Sequence, residues 1–118
     1  MRLSEVDFGA AQPVEGYGPG FFRIAGQAHD APLLIAPGVI ARWGGYDDPG
    51  PLLQMAGQID VLFVGTGAEI AHIPAALRAK LEDAGLGVEV MASPAACRTY
   101  NVLLSEGRRV ALAVLPVD

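Results

Sequence analysis

The residues whose types could do chemistry are concentrated in one segment, Ala95-Ala96-Cys97-Arg98-Thr99-Tyr100-Asn101. Ser93-Pro94 precedes it, and this pair predicts a helix start with a serine cap and proline at the first helical position. An exposed thiol near a helix amino end has a lowered pKa. No histidine lies near Cys97 in sequence to act as its base. Cys97 is therefore either a reactive thiol or a small buried side chain.

Helical spacing over residues 93–106 separates two faces. At 100° per residue, Ala96, Tyr100, Leu103 and Leu104 share one face, while Arg98, Asn101 and Ser105 line the opposite one. A cation in the first turn opposes the helix dipole by roughly a few tenths of a kcal/mol. We therefore expect a carboxylate such as Glu69 or Asp47, or a bound anion, to offset Arg98.

A second candidate site follows the most apolar run, residues 59–67. This run predicts a strand buried on both faces, which ends in the turn Gly65-Thr66-Gly67. A helix over residues 74–84 leads to a strand at 88–91, so the two strands should be parallel neighbours. Their carboxyl ends would then place Gly65, Thr66 and Gly67 opposite Ser93.

This edge is where open α/β sheets bind ligands, and a helix amino end there could hold a small anion. However, Gly-Thr-Gly is too short to be a dinucleotide or phosphate loop. The plain alternative is a tight turn. His72 follows five residues after Gly67 and could overhang the same crevice.

Trp43 is the only tryptophan and lies beside Gly44-Gly45. It is either a cover for the core or an aromatic platform on a partner surface. His29 and His72 are the only histidines, and no metal-ligand spacing exists. We predict no metal and no cofactor.

The elements that must position these residues change character along the chain. The front third predicts short strands at residues 2–8, 21–25, 33–36 and 39–43, with an open loop at 12–20. No helix separates these strands, so antiparallel pairing is expected. Later segments predict a short helix at 49–56, the helix–strand–helix unit described above and a last strand at 110–117. The fold class is α/β.

Composition restricts the function classes. The chain has 118 residues, enough for one domain with its own core. A net charge of −5 argues against a nucleic-acid partner, because neutralising phosphates needs clustered cations. No apolar run approaches the roughly 20 residues of a membrane span. The amino end lacks the apolar core of a signal peptide, so a cytoplasmic location is expected.

The residues also carry a family resemblance. Trp43 after a Pro-Gly strand, the Gly65-Thr66-Gly67 turn, and the segment around Cys97 followed by Leu103-Leu104 and Glu106-Gly107-Arg108-Arg109-Val110 resemble the mitochondrial complex I assembly factor 3 family. Its bacterial and archaeal relatives, the Mth938-like proteins, are classed as a domain of unknown function. The resemblance covers nearly the whole chain.

This resemblance implies a single three-layer domain over residues 1–118. It would have a mixed central β-sheet, helices on one side and additional antiparallel strands on the other. It also implies protein contacts without known catalysis, with a partner in respiratory-complex assembly or protein export.

Two hypotheses follow. In the first, the chain is a protein-binding or assembly module that presents Trp43, the edge at residues 65–67, Arg98 and Asn101 to a partner. In the second, it is a small-molecule binding protein or enzyme at the crevice, with Cys97 or His72 as reactive group. An uncovered strand of the front third could also support a homo-oligomer. The candidate site residues are Trp43, Gly65, Thr66, Gly67, Ser93, Cys97, Arg98, Thr99, Tyr100 and Asn101.

Overall fold

The computed structural model describes residues 12–118. Its strands are β1 (Gly16–Gly18), β2 (Phe21–Ile24), β3 (Gln27–Asp30), β4 (Leu33–Ala36), β5 (Val39–Arg42), β6 (Val61–Gly65), β7 (Gly87–Met91) and β8 (Val110–Val114). Its helices are α1 (Gly50–Leu53), α2 (Ala75–Asp83) and α3 (Ser93–Ser105). A 3₁₀ turn over Gly45–Asp47 precedes α1.

The strands form two sheets. The larger sheet has the order β5-β4-β8-β6-β7, and the smaller has the order β1-β2-β3. In the larger sheet, β4 is antiparallel to both of its neighbours, whereas β6 is parallel to β7 and to β8. The predicted parallel pair is therefore confirmed, with Val61 opposite Gly87 and Gly65 opposite Met91.

The central strands of the larger sheet, β4, β8 and β6, are apolar and buried on both faces. Leu62 and Val64 of β6 pack on one face with Leu77 and Leu81 of α2. Phe63, between them, packs on the other face with residues of α3. The prediction that this strand is buried on both faces is confirmed.

The two crossovers place α2 and α3 on opposite faces. The chain passes outward from β6 to β7 through α2, and returns past β6 to β8 through α3. Right-handed crossovers that run in opposite directions put their helices on opposite sides of a sheet. This reversal gives α3 its own face of the core.

The smaller sheet shares that face with α3. Phe22 and Ile24 of β2 are buried in the same cluster as Tyr100 and Leu104 of α3. The predicted class is confirmed: a mixed α/β structure with a mixed central sheet and additional antiparallel strands. The placement of the helices differs from the prediction, which put them on one side only: α1 and α2 cover one face, and α3 lies with the small sheet on the other.

The front of the chain differs from its prediction in two places. Residues 16–18, within the expected open loop, form β1, and β3 was not predicted. Its sequence, Gln-Ala-His-Asp, is largely exposed and shows no apolar alternation, so it is ordered by pairing with β2 rather than by burial. The strand predicted at residues 2–8 lies outside the described residues.

Candidate functional site

The carboxyl ends of β6, β7 and β8 meet around one serine. The Ser93 hydroxyl accepts a hydrogen bond from Gly67 N–H at 2.8 Å and donates one to Leu115 O at 2.8 Å. The Ser93 N–H donates to Gly67 O at 2.7 Å. Ser93 is completely buried. It therefore joins the ends of three strands.

The prediction that Ser93 caps α3 is wrong. Ala92 occupies the cap position, and no side chain there bonds to the first turn. Ser93 is the first helical residue, because β7 ends at Met91 and leads almost directly into α3. From that position its hydroxyl contacts the neighbouring strand ends. Pro94, predicted at the first helical position, is the second helical residue and still lies in the first turn.

The crevice predicted between Gly65-Thr66-Gly67 and Ser93 is closed by the chain itself. Gly65 is buried, and a Cβ added to it would lie 2.7 Å from Ser93 Oγ and 2.9 Å from Ser93 Cα. The Gly65 carbonyl accepts a hydrogen bond from Leu115 N–H at 2.9 Å. Glycine at this position thus permits direct packing of α3 on β6.

Thr66 shapes the loop that leaves this edge. Its N–H donates to Met91 O at 2.8 Å, which continues the contact between β6 and β7. Its hydroxyl donates to Glu69 O at 2.7 Å and accepts from Ala71 N–H at 3.1 Å. The loop turns tightly around Thr66 and leaves Ile70 69% exposed.

His72 lies beyond this loop and is exposed to solvent. It lines a cavity of about 520 Å³ together with Ile70, Ala71, Ile73, Ala75, Arg78 and Val90. The Arg78 guanidinium is already engaged, since it donates to Val88 O at 3.2 Å and pairs with Glu82 at 3.4 Å. Among residues 12–118, no group of three or more metal-ligating side chains could hold an ion.

Cys97 is buried on the inner face of α3, in the cluster that contains Phe63 and Leu112. Desolvation raises the pKa of its thiol to about 12, although the charge of Arg98 acts in the opposite direction. The thiol is therefore protonated near neutral pH. Of the two interpretations of Cys97, the structure supports the buried side chain.

Tyr100 and Asn101 hold the segment at residues 12–14 to α3. The Tyr100 hydroxyl donates to Gln12 O at 3.0 Å, and its ring is completely buried. The Asn101 amide donates to Val14 O and accepts from Val14 N–H, both at 2.8 Å. Thr99 Oγ1 donates to the Met91 sulfur at 3.5 Å. These side chains bond to backbone and core atoms of this chain.

Arg98 is exposed on the outer face of α3, and the next exposed residue of that face is Val102, at 55%. The ion pairs within residues 12–118 join Arg42 with Asp30, Arg78 with Glu82, and Arg109 with Asp60. Neither expected partner, Glu69 or Asp47, therefore forms an ion pair with Arg98.

Trp43 is 2% exposed and belongs to the core beneath α1 and α2. Its indole N–H donates to Asp48 O at 3.0 Å, and its ring meets Tyr46 edge-on with centroids 6.0 Å apart. Asp48 Oδ2 in turn accepts from Gly44 N–H at 3.0 Å. Trp43 thus covers the core and is not a surface platform.

The structure separates seven of the ten predicted site residues into three groups. Gly65, Gly67 and Ser93 build the closed edge, and Cys97, Tyr100 and Asn101 hold α3 to the sheet and to residues 12–14. Arg98 alone among the seven is exposed. Val102 and Ile70 were missed as surface residues. The signal for Val102 was present, because it lies four positions after Arg98 on the same helical face.

With a mixed sheet, a closed carboxyl edge on that sheet and a flanking antiparallel sheet, this is a mixed α/β protein. The chain belongs to the family described as "Protein of unknown function (DUF498/DUF598)", which it matches over residues 14–115.

Named relatives cover nearly the whole chain. An uncharacterised protein of Rhodobacter capsulatus is 51% identical over 117 residues, with 99% of this chain and 94% of that protein aligned. The NADH dehydrogenase [ubiquinone] 1 alpha subcomplex assembly factor 3 of Danio rerio is 31% identical, covering 98% of this chain and 71% of its own length. The family resemblance seen in the sequence is confirmed.

Solved structures agree. A protein described as an outer membrane protein of Bartonella henselae superposes with a TM-score of 0.84 at 34% identity, over 92% of this chain and 98% of that one. A Mth938-like domain of Bordetella pertussis superposes with a TM-score of 0.78 at 30% identity, over 99% and 93%. Within residues 12–118 no helix has the length and apolar character needed to cross a bilayer.

Proposed function

We propose that this chain is a non-catalytic protein-binding module that acts in the assembly of a multi-subunit complex, with respiratory complex I as the first candidate. Support comes from its similarity to complex I assembly factor 3 of zebrafish and mouse. A component of protein export is the second candidate partner.

The observation that carries the proposal is the division of α3 into two faces. The side chains that could have served catalysis are used to build the fold: Ser93 joins strand ends, Cys97 is buried and Asn101 bonds to Val14. The outer face presents Arg98 and Val102 to solvent. An arginine beside an exposed aliphatic side chain suits an interface, where arginine is enriched.

The proposed binding face comprises Arg98 and Val102, with Thr99 at its partly buried margin. Asn101 and Trp43 are not part of it, because their polar groups are bonded within the chain. The closed edge at Gly65 gives no support to a small-molecule site there.

A capture experiment tests this face. Wild type, Arg98→Ala and Val102→Asp would be used as bait in lysate of the native host, with retained proteins identified by mass spectrometry. Arg108→Ala is the matched control, since Arg108 is equally an exposed arginine but lies beyond the other end of α3. Each variant must first unfold at the same urea concentration as wild type.

We expect wild type and Arg108→Ala to retain subunits of one complex, and both α3 variants to lose them. Retention of the same subunits by Arg98→Ala and Val102→Asp would contradict the proposed face. Failure of wild type to retain any subunit of a respiratory or export complex would contradict the assembly role.

We further propose that the chain acts in the cytoplasm. Cell fractionation with detection of the full chain tests this. Recovery in an outer-membrane fraction would contradict it and would match the description given to the Bartonella henselae structure.

A further inference from the structure

One edge of the large sheet is formed by β5, whose backbone hydrogen-bonding groups are paired on one side only. Hydrogen-bonded and non-bonded pairs alternate along an antiparallel ladder. The Trp43 N–H donates to Pro32 O at 3.1 Å, and β5 pairs Val39 with Ala36 and Ala41 with Leu34. The ladder bonds therefore fall on Val39, Ala41 and Trp43. The N–H and C=O groups of Ile40 and Arg42 point away from β4.

The side chains of β5 also remain uncovered by the described residues. All four are exposed, including Val39 at 44% and Ile40 at 37%. Val39 and Ala41 border a groove of about 390 Å³ against Met55 and Ile59, while Ile40 faces the small sheet beside His29. Edge strands are usually protected by charge, proline or a bulge. On β5 the only charge is Arg42, at its last position.

We propose that β5 joins two copies of this chain by antiparallel pairing across a two-fold axis, so that the two large sheets become one. The occupant is a second copy because the edge is complementary to itself. Pairing Ile40 with Arg42 of the second copy satisfies every outward N–H and C=O group of β5 in both copies. Ala41 then faces Ala41 of the second copy on the axis, where small side chains permit close approach.

Other registers of β5 against β5 of the second copy would be less stable. Pairing Arg42 with Arg42 of the second copy would place like charges directly opposite each other. Pairing Ile40 with itself would set Arg42 against Gly38, a turn residue at φ +74° that cannot continue a strand. The favoured register leaves one cation and one anion per copy near the axis, because Arg42 and Asp30 lie 3.8 Å apart. This patch is neutral, whereas the whole chain carries −5.

Net charge gives the interface a salt dependence. Two copies of an acidic chain repel one another at a distance, and dissolved salt screens that repulsion. The attraction between the neutral, partly apolar patches around β5 is weakened little by screening. Association should therefore strengthen as salt is raised, opposite to the behaviour of an interface held by ion pairs.

The test is sedimentation equilibrium of the full chain from about 1 µM to about 1 mM, the range of weak to moderate dimers. We expect the apparent mass to rise from 12.3 kDa towards twice that value, and to rise further when salt increases. Ile40→Lys should remain at the monomer mass. Tyr17→Lys is the matched control, since it makes the same charge change at a side chain 47% exposed on the small sheet.

Amide exchange on wild type provides a readout that does not depend on a variant. The Ile40 and Arg42 amides should exchange about tenfold more slowly at the highest concentration than at the lowest, while those of Val39 and Ala41 stay unchanged.

A monomer at every concentration would overturn the proposal. So would equal loss of the dimer in Tyr17→Lys, or a dimer without slowed exchange at Ile40 and Arg42. Protection of these two amides already at the lowest concentration would show that the chain covers β5 itself, and would also overturn it.

Discussion

The inner and outer faces of α3 are built from neighbouring residues of one segment, yet they have different uses. On the inner face, Cys97 and Tyr100 are buried, and Ser93 is the hydrogen-bonding centre of three strand ends. On the outer face, Arg98 and Val102 are exposed. The difference shows that an unusual run of polar residues can be required by the fold itself. Only a few residues of such a run then remain exposed for a partner.

The largest effect is expected where the inner face fills the core. Tyr100→Ala removes a completely buried ring and should lower the free energy of unfolding by about 4 kcal/mol, as for other buried aromatic truncations. Tyr100→Phe keeps the ring and loses the bond to Gln12 O, so it should cost only about 1 kcal/mol. Urea unfolding of the two variants measures both. Equal losses would show that the hydroxyl, rather than packing, holds α3.

Close packing of α3 on β6 gives the next effect. In Gly65→Ala the new Cβ would meet Ser93 Oγ and the Ser93 backbone at under 3 Å. We expect a loss of about 2 to 3 kcal/mol, typical of overpacking. Gly85→Ala is an informative control, because Gly85 has open space around it but a φ of +91°, so its loss reports backbone strain alone. A neutral Gly65→Ala would mean that the edge is open.

Loss of the hydrogen bonds that hold residues 12–14 to α3 should lower the free energy of unfolding by a smaller amount. Asn101→Ala removes both hydrogen bonds to Val14, and we expect a loss of about 1 to 2 kcal/mol because the site is only partly buried. Thermal unfolding followed by circular dichroism measures it. Ser105→Ala, at an exposed position on the same helix, should be nearly neutral and provides the comparison. An Asn101→Ala loss no larger than that of Ser105→Ala would contradict the role given to Asn101.

A further effect, absent at neutral pH, is a dependence of stability on alkaline pH. Burial raises the pKa of the Cys97 thiol from 9.0 to about 12, so above pH 9 the unfolded thiol ionises while the folded one stays protonated. The stabilisation is complete below the unfolded pKa and is lost as pH rises towards 12. The free energy of unfolding should therefore fall across that window, and fall less in Cys97→Ala. The pKa of Tyr100 is raised by burial as well, so a residual slope is expected.

Much of the fold could be predicted from the sequence, because the hydrophobic periodicity and the positions of glycine and proline indicate the same elements. One crossover is indicated by the apolar run of β6, the helical spacing of α2 and the glycine that follows α2. That glycine, Gly85, has a φ of +91° in the structure. β3 could not be predicted, since Gln27 to Asp30 carry no burial pattern and depend on β2 for order.

The site was predicted in part. Spacing correctly grouped Ala96, Tyr100 and Leu104 as buried, and placed Gly65 and Gly67 beside Ser93. It could not show that Ser93 would point towards the strands, because this depends on how few residues separate β7 from α3. Asn101 was placed on the solvent side for a similar reason: its partner Val14 is 87 residues away.

The most direct test of the two-faced helix compares Ser93→Ala with Arg98→Ala in urea unfolding. Ser93→Ala leaves Gly67 N–H and Leu115 O without their hydroxyl partner, so the free energy of unfolding should fall by about 2 to 3 kcal/mol. Arg98→Ala should change it by no more than about 0.5 kcal/mol. A stable Ser93→Ala, or an Arg98→Ala that unfolds as readily, would contradict the division of α3 into a face that builds the fold and a face left for a partner.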